Sequence, residues 1–445
     1  MSNKFGAWAL ALCGLVANAA GAATEPATDP CMARTETILK ALDAGEFEQA
    51  RVDFDATMQA NLSAEQLGAV WASLPQQVGA RLAVAEGRTQ AANGAIVAII
   101  PLQHAKAWLE LQVSCNAAGK VSGLYVRPAA APTAKAPTVE ESALWSEREL
   151  AVESAGLSLP GTLTLPKGEV RAGAVLVHGS GAHDRDEAIG PNRVFRDLAH
   201  GLAERGIAVL RYEKRSHAHP ESFAGKAFTV KEEVTDDALA AVKLLGLQAE
   251  LKDRPLYVIG HSLGALLAPR IASGQPEIAG VVMLAAPART LTEMIPKQTH
   301  YIANLDGEVS TEERAGLKQI QKLVDEIEAL TPADADETAL LLGAPAAYWL
   351  DLKGYRPFLQ ARALGKPILL LQGERDYQVT MAADFLPWHQ RMHEIEGFSD
   401  RSFAGLNHLF MPAGDPPGPT DYEKPGHVDA KVIAAIGDWI VAQGS

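Results

Sequence analysis

The chain contains few cysteines, few aromatic residues and a deficit of basic charge. Of its 445 residues only 3 are cysteine and 6% are aromatic, and 40 Lys and Arg stand against 54 Asp and Glu, for a formal net charge of −14. Nucleic acids and anionic membrane surfaces are bound through clustered positive charge, so this balance argues against both as partners. With 47% hydrophobic and 21% charged residues, the composition is that of a globular protein of two or three domains.

Sequence motifs for nucleotide and metal cofactors are also missing. There is no Walker sequence, and no Gly-x-Gly-x-x-Gly follows a predicted strand. His217 and His219 form half of a metallohydrolase signature, but Pro220 and Glu221 follow where an aspartate and a histidine are expected. We therefore expect neither a metal site nor a cofactor.

Long apolar runs are missing except near the N-terminus. A single lysine precedes the uncharged stretch 5–16, and small residues follow as far as Ala23. This pattern is typical of a cleaved signal peptide, which we place at residues 1–23, and the stretch is shorter than the ~20 apolar residues of a membrane span. Cys13 would permit lipidation, although Leu12 before it is larger than a lipoprotein peptidase prefers. The sequence thus predicts an exported protein, periplasmic or secreted, without stable membrane insertion.

Two cysteines, Cys31 and Cys115, would remain after cleavage. An even pair in an exported protein predicts a disulfide, with two buried free thiols as the alternative. Both cysteines precede the Pro/Ala-rich segment 127–140, which we interpret as a semi-rigid linker. Helical spacing over 31–73, followed by short alternating runs, predicts a small α+β domain over residues 31–126.

In residues 141–445, apolar strands alternate with helices. Continuous apolar runs such as 172–177 and 367–371 are typical of strands that are covered on both faces. The alternation predicts a mostly parallel sheet with right-handed crossovers, in which ligands bind beyond the carboxyl ends of the strands. A long segment with helical spacing interrupts it, so we expect a helical cap over about residues 291–360.

The strongest motif is Gly-x-Ser-x-Gly at residues 260–264, centred on Ser262. Alone this motif is a weak signal, but here it follows the apolar strand 256–259 and opens a helix, which is the context that presents a nucleophilic serine. The helix N-terminus also favours negative charge that develops beside it. We predict that Ser262 is a nucleophile; the alternative is an ordinary glycine-rich turn.

A serine nucleophile needs an adjacent base that an acid orients. Around such a motif the chain order is serine, acid, histidine. Asp376 fits the acid because it lies where the strand 367–371 runs into a polar turn, with Glu374 as second choice. His408 fits the base because it follows a short strand and precedes the C-terminal helix. Three other histidines compete for this role: His389, His393 and His427.

A turn of small residues follows the strand 172–177. Backbone N–H groups in such a turn can point at the carbonyl oxygen of a bound substrate. We predict an oxyanion hole formed by the N–H groups of Leu263 and Ser180, with Gly181 as the alternative to Ser180. The charged residues 184–186 are interpreted as a structural ion-pair network.

Together these motifs resemble the α/β-hydrolase superfamily. The run from His178 to Glu187 and the run 210–215 look more narrowly like bacterial esterases of the EstD type, a group related to serine aminopeptidases and prolyl-oligopeptidase-like proteins. The resemblance covers about residues 145–443 and implies an eight-stranded, mostly parallel sheet. It also implies a catalytic triad, whose members are Ser262, Asp376 and His408.

The sequence differs from this family at two positions beside the motifs. Ala182 and Ser216 replace a proline and a glycine that are frequent in the family, and they bear on the shape of the acyl pocket. The N-terminal module is similar to a small domain of unknown function that precedes such hydrolases. Four residues are candidates to contact the substrate, with packing of the cap onto the sheet as the alternative for the last three: His261, Met294, Tyr348 and Trp349.

The sequence predicts a cofactor-independent serine hydrolase that cleaves small or short-acyl carboxylic esters through an acyl-enzyme. A serine peptidase or aminopeptidase and an acyl thioesterase remain alternatives. A peptidase would need a cap carboxylate for the substrate amine, for which Glu293, Asp306 and Glu308 are candidates. The non-enzymatic alternative is a binding protein in which the N-terminal module captures a ligand and the hydrolase half is vestigial.

Overall fold

The computed structural model describes residues 30–443, except for residues 80, 85–86, 93–94, 105–106 and 130–141. The predicted signal peptide and most of the predicted linker lie outside the described residues. The described residues form two compact units, one within 30–129 and the other over 142–443.

The N-terminal unit combines short helices with an antiparallel sheet. Its described helices are α1 (Pro30–Ala44), α2 (Phe47–Ala50), α3 (Ala56–Asn61) and α4 (Ala64–Val78). Its described strands are β1 (Arg81–Val84), β2 (Arg88–Ala92), β3 (Ala95–His104), β4 (Trp108–Cys115) and β5 (Val121–Ala129). They pair in the order β1-β3-β4-β5, with β2 also on β3. The predicted α+β character is confirmed.

Alternate residues of β4 are buried, so one face of this sheet packs against the helices. Leu111 and Val113 belong to that buried face, and Leu42 of α1 packs in the same core. Cys31 and Cys115 are joined by a disulfide that connects α1 to the end of β4.

The C-terminal unit is built on an eight-stranded sheet with the order β15-β14-β13-β12-β8-β11-β7-β6. Its strands, with a small β9–β10 hairpin, are β6 (Trp145–Ser154), β7 (Leu157–Pro166), β8 (Ala172–Val177), β9 (Ala188–Ile189), β10 (Asn192–Arg193), β11 (Ile207–Tyr212), β12 (Leu256–His261), β13 (Ile278–Leu284), β14 (Ile368–Gly373) and β15 (Phe398–Phe403). Neighbours from β11 to β15 pair in parallel, whereas β7 is antiparallel to both β11 and β6. The predicted mostly parallel, eight-stranded sheet is confirmed.

Helices cover both faces of this sheet. They are α5 (Val194–Ala203), α6 (Arg215–Ala218), α7 (Asp236–Gly246), α8 (Leu263–Ala272), α9 (Leu291–Ala303), α10 (Thr311–Ala329), α11 (Ala346–Gly354), α12 (Pro357–Ala363), α13 (Leu386–Met392) and α14 (Ala430–Gln443). The π-helical turns Lys231–Thr235 and Met381–Phe385 precede α7 and α13. Successive side chains of β8 enter opposite cores, Val175 one and Leu176 the other. Burial on both faces explains why this strand is a continuous apolar run.

The segment between β13 and β14 forms the predicted helical cap, made of α9 to α12. Ser310 and Glu313 close a capping box at the start of α10, and Ile320, Val324 and Ile327 form its buried stripe. Arg270 of α8 and Asp351 of α11 form an ion pair at 2.9 Å, and the Tyr355 hydroxyl donates to the Leu266 carbonyl at 3.0 Å. Within the described part of the chain, no helix is both long and apolar enough to cross a membrane.

Candidate active site

Ser262 sits on the turn between β12 and α8, at the carboxyl end of a central strand. Its backbone has φ 52° and ψ −113°, a conformation that is strained for a non-glycine residue and that clusters at functional sites. A Cβ added at Gly260 would overlap the Gly264 backbone, and one added at Gly264 would overlap the Val177 carbonyl. The glycines of the motif are therefore required by the tightness of the turn, which leaves Ser262 partly exposed.

Asp376 and His408 meet at the same edge of the sheet, on the loops after β14 and β15. The His408 Nδ1–H donates to Asp376 Oδ2 at 2.6 Å, and both residues are buried. The other carboxylate oxygen accepts the N–H groups of Gln378 and Val379 at 2.8 and 2.9 Å, and Gln372 Nε2 donates to Oδ2 at 3.1 Å. Because Nδ1 carries the proton in this pair, Nε2 of His408 is left with the lone pair that a general base needs.

The competing candidates for the acid and the base are not part of this pair. Glu374 and His393 are exposed. His389 pairs with Asp400 at 2.7 Å, and the His427 side chain is 82% exposed. The structure therefore brings together the two residues that were preferred from the sequence.

His261 links the Ser262 turn to His408. Its Nε2–H donates to the His408 carbonyl at 3.0 Å, and the two rings lie 4.7 Å apart between centroids. Its Nδ1 lies 2.9 Å from Glu187 Oε2. Both ring nitrogens of His261 therefore face oxygen atoms, one of a backbone carbonyl and the other of a carboxylate.

This ion pair is fully enclosed. Burial alone would lower the pKa of His261, but the Glu187 carboxylate raises it above its ordinary value. Burial alone would raise the pKa of Glu187, but His261 lowers it to about 2. The side chain of His261 is 3% exposed and lies between Glu187 and His408, which favours a structural role; its contact with the substrate stays a prediction.

The turn after β8 lies against Ser262. A Cβ added at Gly179 would be 3.3 Å from the Ser262 Cβ, and the Gly179 N–H donates to Glu187 Oε1 at 2.7 Å. Among the described residues, the next two N–H groups, of Ser180 and Gly181, donate to no protein acceptor. Leu263 is the first residue of α8, so its N–H has no carbonyl within that helix to bind. These groups are available to a ligand beside Ser262.

The three cap residues that were candidates to contact the substrate are buried in packing. Met294 lies in an apolar core, and Tyr348 and Trp349 are 6% and 5% exposed. The Tyr348 hydroxyl donates to Glu233 Oε2 at 3.2 Å, and Trp349 Nε1 donates to the Leu341 carbonyl at 2.8 Å. This burial favours the packing role that was the alternative prediction for these side chains.

Charged residues after the turn form a network that supports it. Arg185 pairs with Glu149 and with Glu213, and Asp186 pairs with the buried Arg211. This is the structural network expected for residues 184–186. Sequence reasoning missed the contacts that Glu187 and Lys214 make with the turn after β8. The only sequence signal for these two residues is their position in charged runs beside the motifs.

A serine on a strained strand–helix turn, a buried aspartate–histidine pair and a capped eight-stranded sheet together define an α/β-hydrolase. Residues 168–408 match the family model described as Serine aminopeptidase, S33. Esterase EstD of Thermotoga maritima is 36% identical over 402 residues, which are 90% of this chain and 93% of that protein. The chain belongs to the serine aminopeptidase S33 family of hydrolases, and the resemblance to the EstD group is confirmed.

Other similarities concern the N-terminal module and solved structures. Residues 35–124 match a family model described as a protein of unknown function (DUF3887). An esterase of Pyrococcus furiosus has 16% identity and a TM-score of 0.44, covering 71% of this chain and 100% of its own. Est1E of Butyrivibrio proteoclasticus has 17% identity and a TM-score of 0.42, covering 66% of this chain and 98% of its own.

Proposed function

We propose that this chain is a carboxylesterase that cleaves small or short-acyl esters through an acyl-enzyme on Ser262. The observation that carries the proposal is the 2.6 Å bond between His408 and Asp376, at the sheet edge where Ser262 stands on its strained turn. Kinship with an esterase over 90% of the chain supports the same reaction class.

In the proposed mechanism, His408 Nε2 removes the proton from Ser262 Oγ as that oxygen attacks the carbonyl carbon of the ester. The carbonyl oxygen becomes an oxyanion, which the N–H groups of Leu263 and Ser180 stabilise, with Gly181 as the alternative donor. Asp376 holds His408 in the productive tautomer and stabilises its charged form. The tetrahedral intermediate then expels the alcohol, which takes the proton back from His408.

Deacylation repeats these steps with water as the nucleophile. His408 removes a proton from the water, which attacks the acyl carbonyl, and Ser262 leaves with the proton that His408 returns. The groups that act are all side chains and N–H groups of this chain. No step in the scheme draws on a cofactor.

Esters are preferred over amides because an alcohol leaves more easily than an amine. A peptidase would also need a cap carboxylate that is free to hold a substrate amine. Glu293, one of the three candidates, accepts the Thr290 N–H at 2.9 Å and closes the capping box at the start of α9. That engagement favours a structural role for Glu293.

Turnover of matched acyl donors tests this proposal. We expect hydrolysis of p-nitrophenyl acetate and butyrate with much higher kcat/KM than of amino-acyl p-nitroanilides or of acyl thioesters. Ser262→Ala is the control for background, because the turn accommodates a smaller side chain. Amide or thioester turnover that matches or exceeds ester turnover would overturn the assignment of the substrate class.

A further inference from the structure

Lys214 stands outside the proposed triad, yet its side chain is buried against the turn after β8. We call residues 179–183 the oxyanion loop. Lys214 Nζ donates to the carbonyl oxygens of Gly179 and Gly181 at 2.8 and 2.9 Å, and lies 2.9 Å from Glu233 Oε1. Two of the three ammonium donors therefore bind loop carbonyls, and the charge is paired with the Glu233 carboxylate. The Lys214 side chain is 2% exposed, which leaves it no contact with bulk water.

These contacts determine which way the loop's N–H groups point. In a planar trans peptide, the N–H is directed away from the carbonyl of the same unit. The carbonyl of Gly179 shares its unit with the N–H of Ser180. Because Lys214 holds that carbonyl on one side, the Ser180 N–H is directed to the other side, away from the ammonium.

Two further hydrogen bonds hold carbonyl groups of the oxyanion loop. His183 Nε2–H donates to the Ser180 carbonyl at 2.8 Å, so the Gly181 N–H is oriented by a different residue. The backbone N–H of Lys214 donates to the His183 carbonyl at 3.1 Å. Lys214 therefore holds the loop at three carbonyls and acts most directly on the Ser180 N–H.

The position of Lys214 is itself set by Glu233. Glu233 Oε1 accepts the Ser216 hydroxyl at 3.2 Å, and Oε2 accepts the Tyr348 hydroxyl at 3.2 Å. Tyr348 belongs to α11, so a continuous chain of polar contacts connects the cap to the oxyanion loop. Two opposite charges buried in this way are tolerated because each is paired and hydrogen-bonded.

We infer that Lys214 is a positioning residue that holds the oxyanion loop with the Ser180 N–H directed at the carbonyl oxygen of the substrate. The inference rests on the proposed function, since an oxyanion arises there only if Ser262 attacks an acyl group. The bond it supports is made fully in the transition state, so loss of Lys214 lowers kcat much more than it changes KM.

The test compares two double variants, each of which removes both members of a buried ion pair. Lys214→Met with Glu233→Gln removes the donors while keeping the aliphatic stem, and it leaves no unpaired buried charge. Arg215→Met with Asp237→Asn is the matched control, because it removes the adjacent buried ion pair, whose contacts are with Ser154 and not with the loop. For p-nitrophenyl acetate we expect the Lys214 variant to lose about 10²-fold in kcat, with KM within about threefold of the control.

A second variant keeps the test decisive if the first does not fold. Lys214→Gln with Glu233→Gln retains one donor group and should recover part of the lost kcat relative to the methionine variant. Thermal melting establishes that each variant is folded. If a folded Lys214 variant keeps its kcat within about threefold of the control, the loop does not depend on Lys214 and the inference is wrong.

Labelling with a fluorophosphonate probe separates this outcome from failure of the proposed function. We expect the probe to label the unsubstituted enzyme to one equivalent and Ser262→Ala not at all. That result would support Ser262 as the nucleophile, whatever Lys214 does. The Lys214 variant should reach the same end point at a lower rate. Absence of both labelling and ester turnover in the unsubstituted enzyme would instead overturn the proposed function, and the inference with it.

Discussion

At the scale of single residues, the Asp376 carboxylate is held by four hydrogen bonds, of which His408 makes one. In Asp376→Asn the amide oxygen would face the N–H groups of Gln378 and Val379, so the amide NH₂ would face His408. The imidazole would then carry its proton on Nε2 and could not accept one from Ser262. We expect kcat for ester hydrolysis to fall by about 10³ to 10⁴-fold.

The control for this variant is the acid that stands nearby without a contact to His408. Glu374→Gln changes an exposed side chain that accepts a hydrogen bond from Ser402. It should keep kcat within about twofold of the unsubstituted enzyme. Similar losses in both variants would show that the acid has been misassigned.

His178 makes the stability of the fold depend on pH. Burial lowers the pKa of His178 from 6.5 to about 3, so the imidazole is neutral in the folded protein. The unfolded chain binds a proton there below about pH 6.5, and the free energy of unfolding falls as pH falls from that value. One such group contributes a slope of up to about 1.4 kcal/mol per pH unit.

The window from pH 6.5 to 4.5 isolates this effect from the buried pair beside Ser262. Glu187, with a pKa lowered to about 2, loses its stabilising contribution only as pH falls below 4.5. His261, with a raised pKa, loses its contribution only as pH rises above 6.5. Urea unfolding across the window should give a shallower slope for His178→Gln than for the exposed control His427→Gln. Equal slopes would contradict the neutral state of His178.

At the scale of elements, the turn between β12 and α8 depends on two glycines. Gly260→Ala would place a Cβ against the backbone of Gly264, where neither partner can move without breaking the turn. We expect the free energy of unfolding to fall by at least about 3 kcal/mol. In the control, Gly354→Ala, the added Cβ meets no atom within 4 Å, so stability should be unchanged or higher. Thermal melting that ranks the two variants equally would refute this account of the motif.

Elements with strong local patterns were predicted well from the sequence. The strand β8 matches its predicted bounds, whereas β12 and β14 each extend two residues beyond the predicted runs 256–259 and 367–371. The strand β6 was missed, because Glu147, Glu149 and Glu153 interrupt its apolar residues and no continuous run marks it. Glu147 is buried there because it is paired with Arg211 and His200 and accepts a hydrogen bond from Thr164, all of which lie on other elements of the fold.

The site shows the same division between local and distant contacts. Ser262, Asp376 and His408 each follow a predicted strand, so their position at one edge of the sheet could be expected from the sheet alone. The roles of His261 and Lys214 could not, because both depend on partners that the fold brings from elsewhere in the chain. The cap was predicted from helical spacing, but spacing does not tell which face of α11 packs, and Tyr348 and Trp349 are buried.

At the scale of the whole molecule, the N-terminal unit is closed by the disulfide between Cys31 and Cys115, across a sequence separation of 84 residues. In the chain-entropy account, a loop of this length stabilises the unit by about 4 to 5 kcal/mol. Cys31→Ala with Cys115→Ala should therefore lower the unfolding temperature of this unit, as measured by calorimetry. The proposed triad lies in the other unit, so kcat for ester hydrolysis should be retained.

We propose export from the N-terminal segment 1–23, and the disulfide gives a prediction for the exported protein. Exported protein that is unfolded without reductant should show no free thiol, and reduction should release two. Two reactive thiols before reduction would contradict the bridge in the exported protein. An unchanged calorimetric transition in the double variant would contradict its contribution to stability.

The central claim is that Ser262 carries the acyl group during turnover. Rapid acid quenching of the enzyme with p-nitrophenyl acetate, followed by mass spectrometry of its peptides, tests it directly. We predict one acetyl group on the peptide that contains Ser262, with neither adduct nor turnover in Ser262→Ala. Sustained ester hydrolysis by Ser262→Ala, or an acetyl group on another residue that forms and decays at the rate of turnover, would contradict the claim.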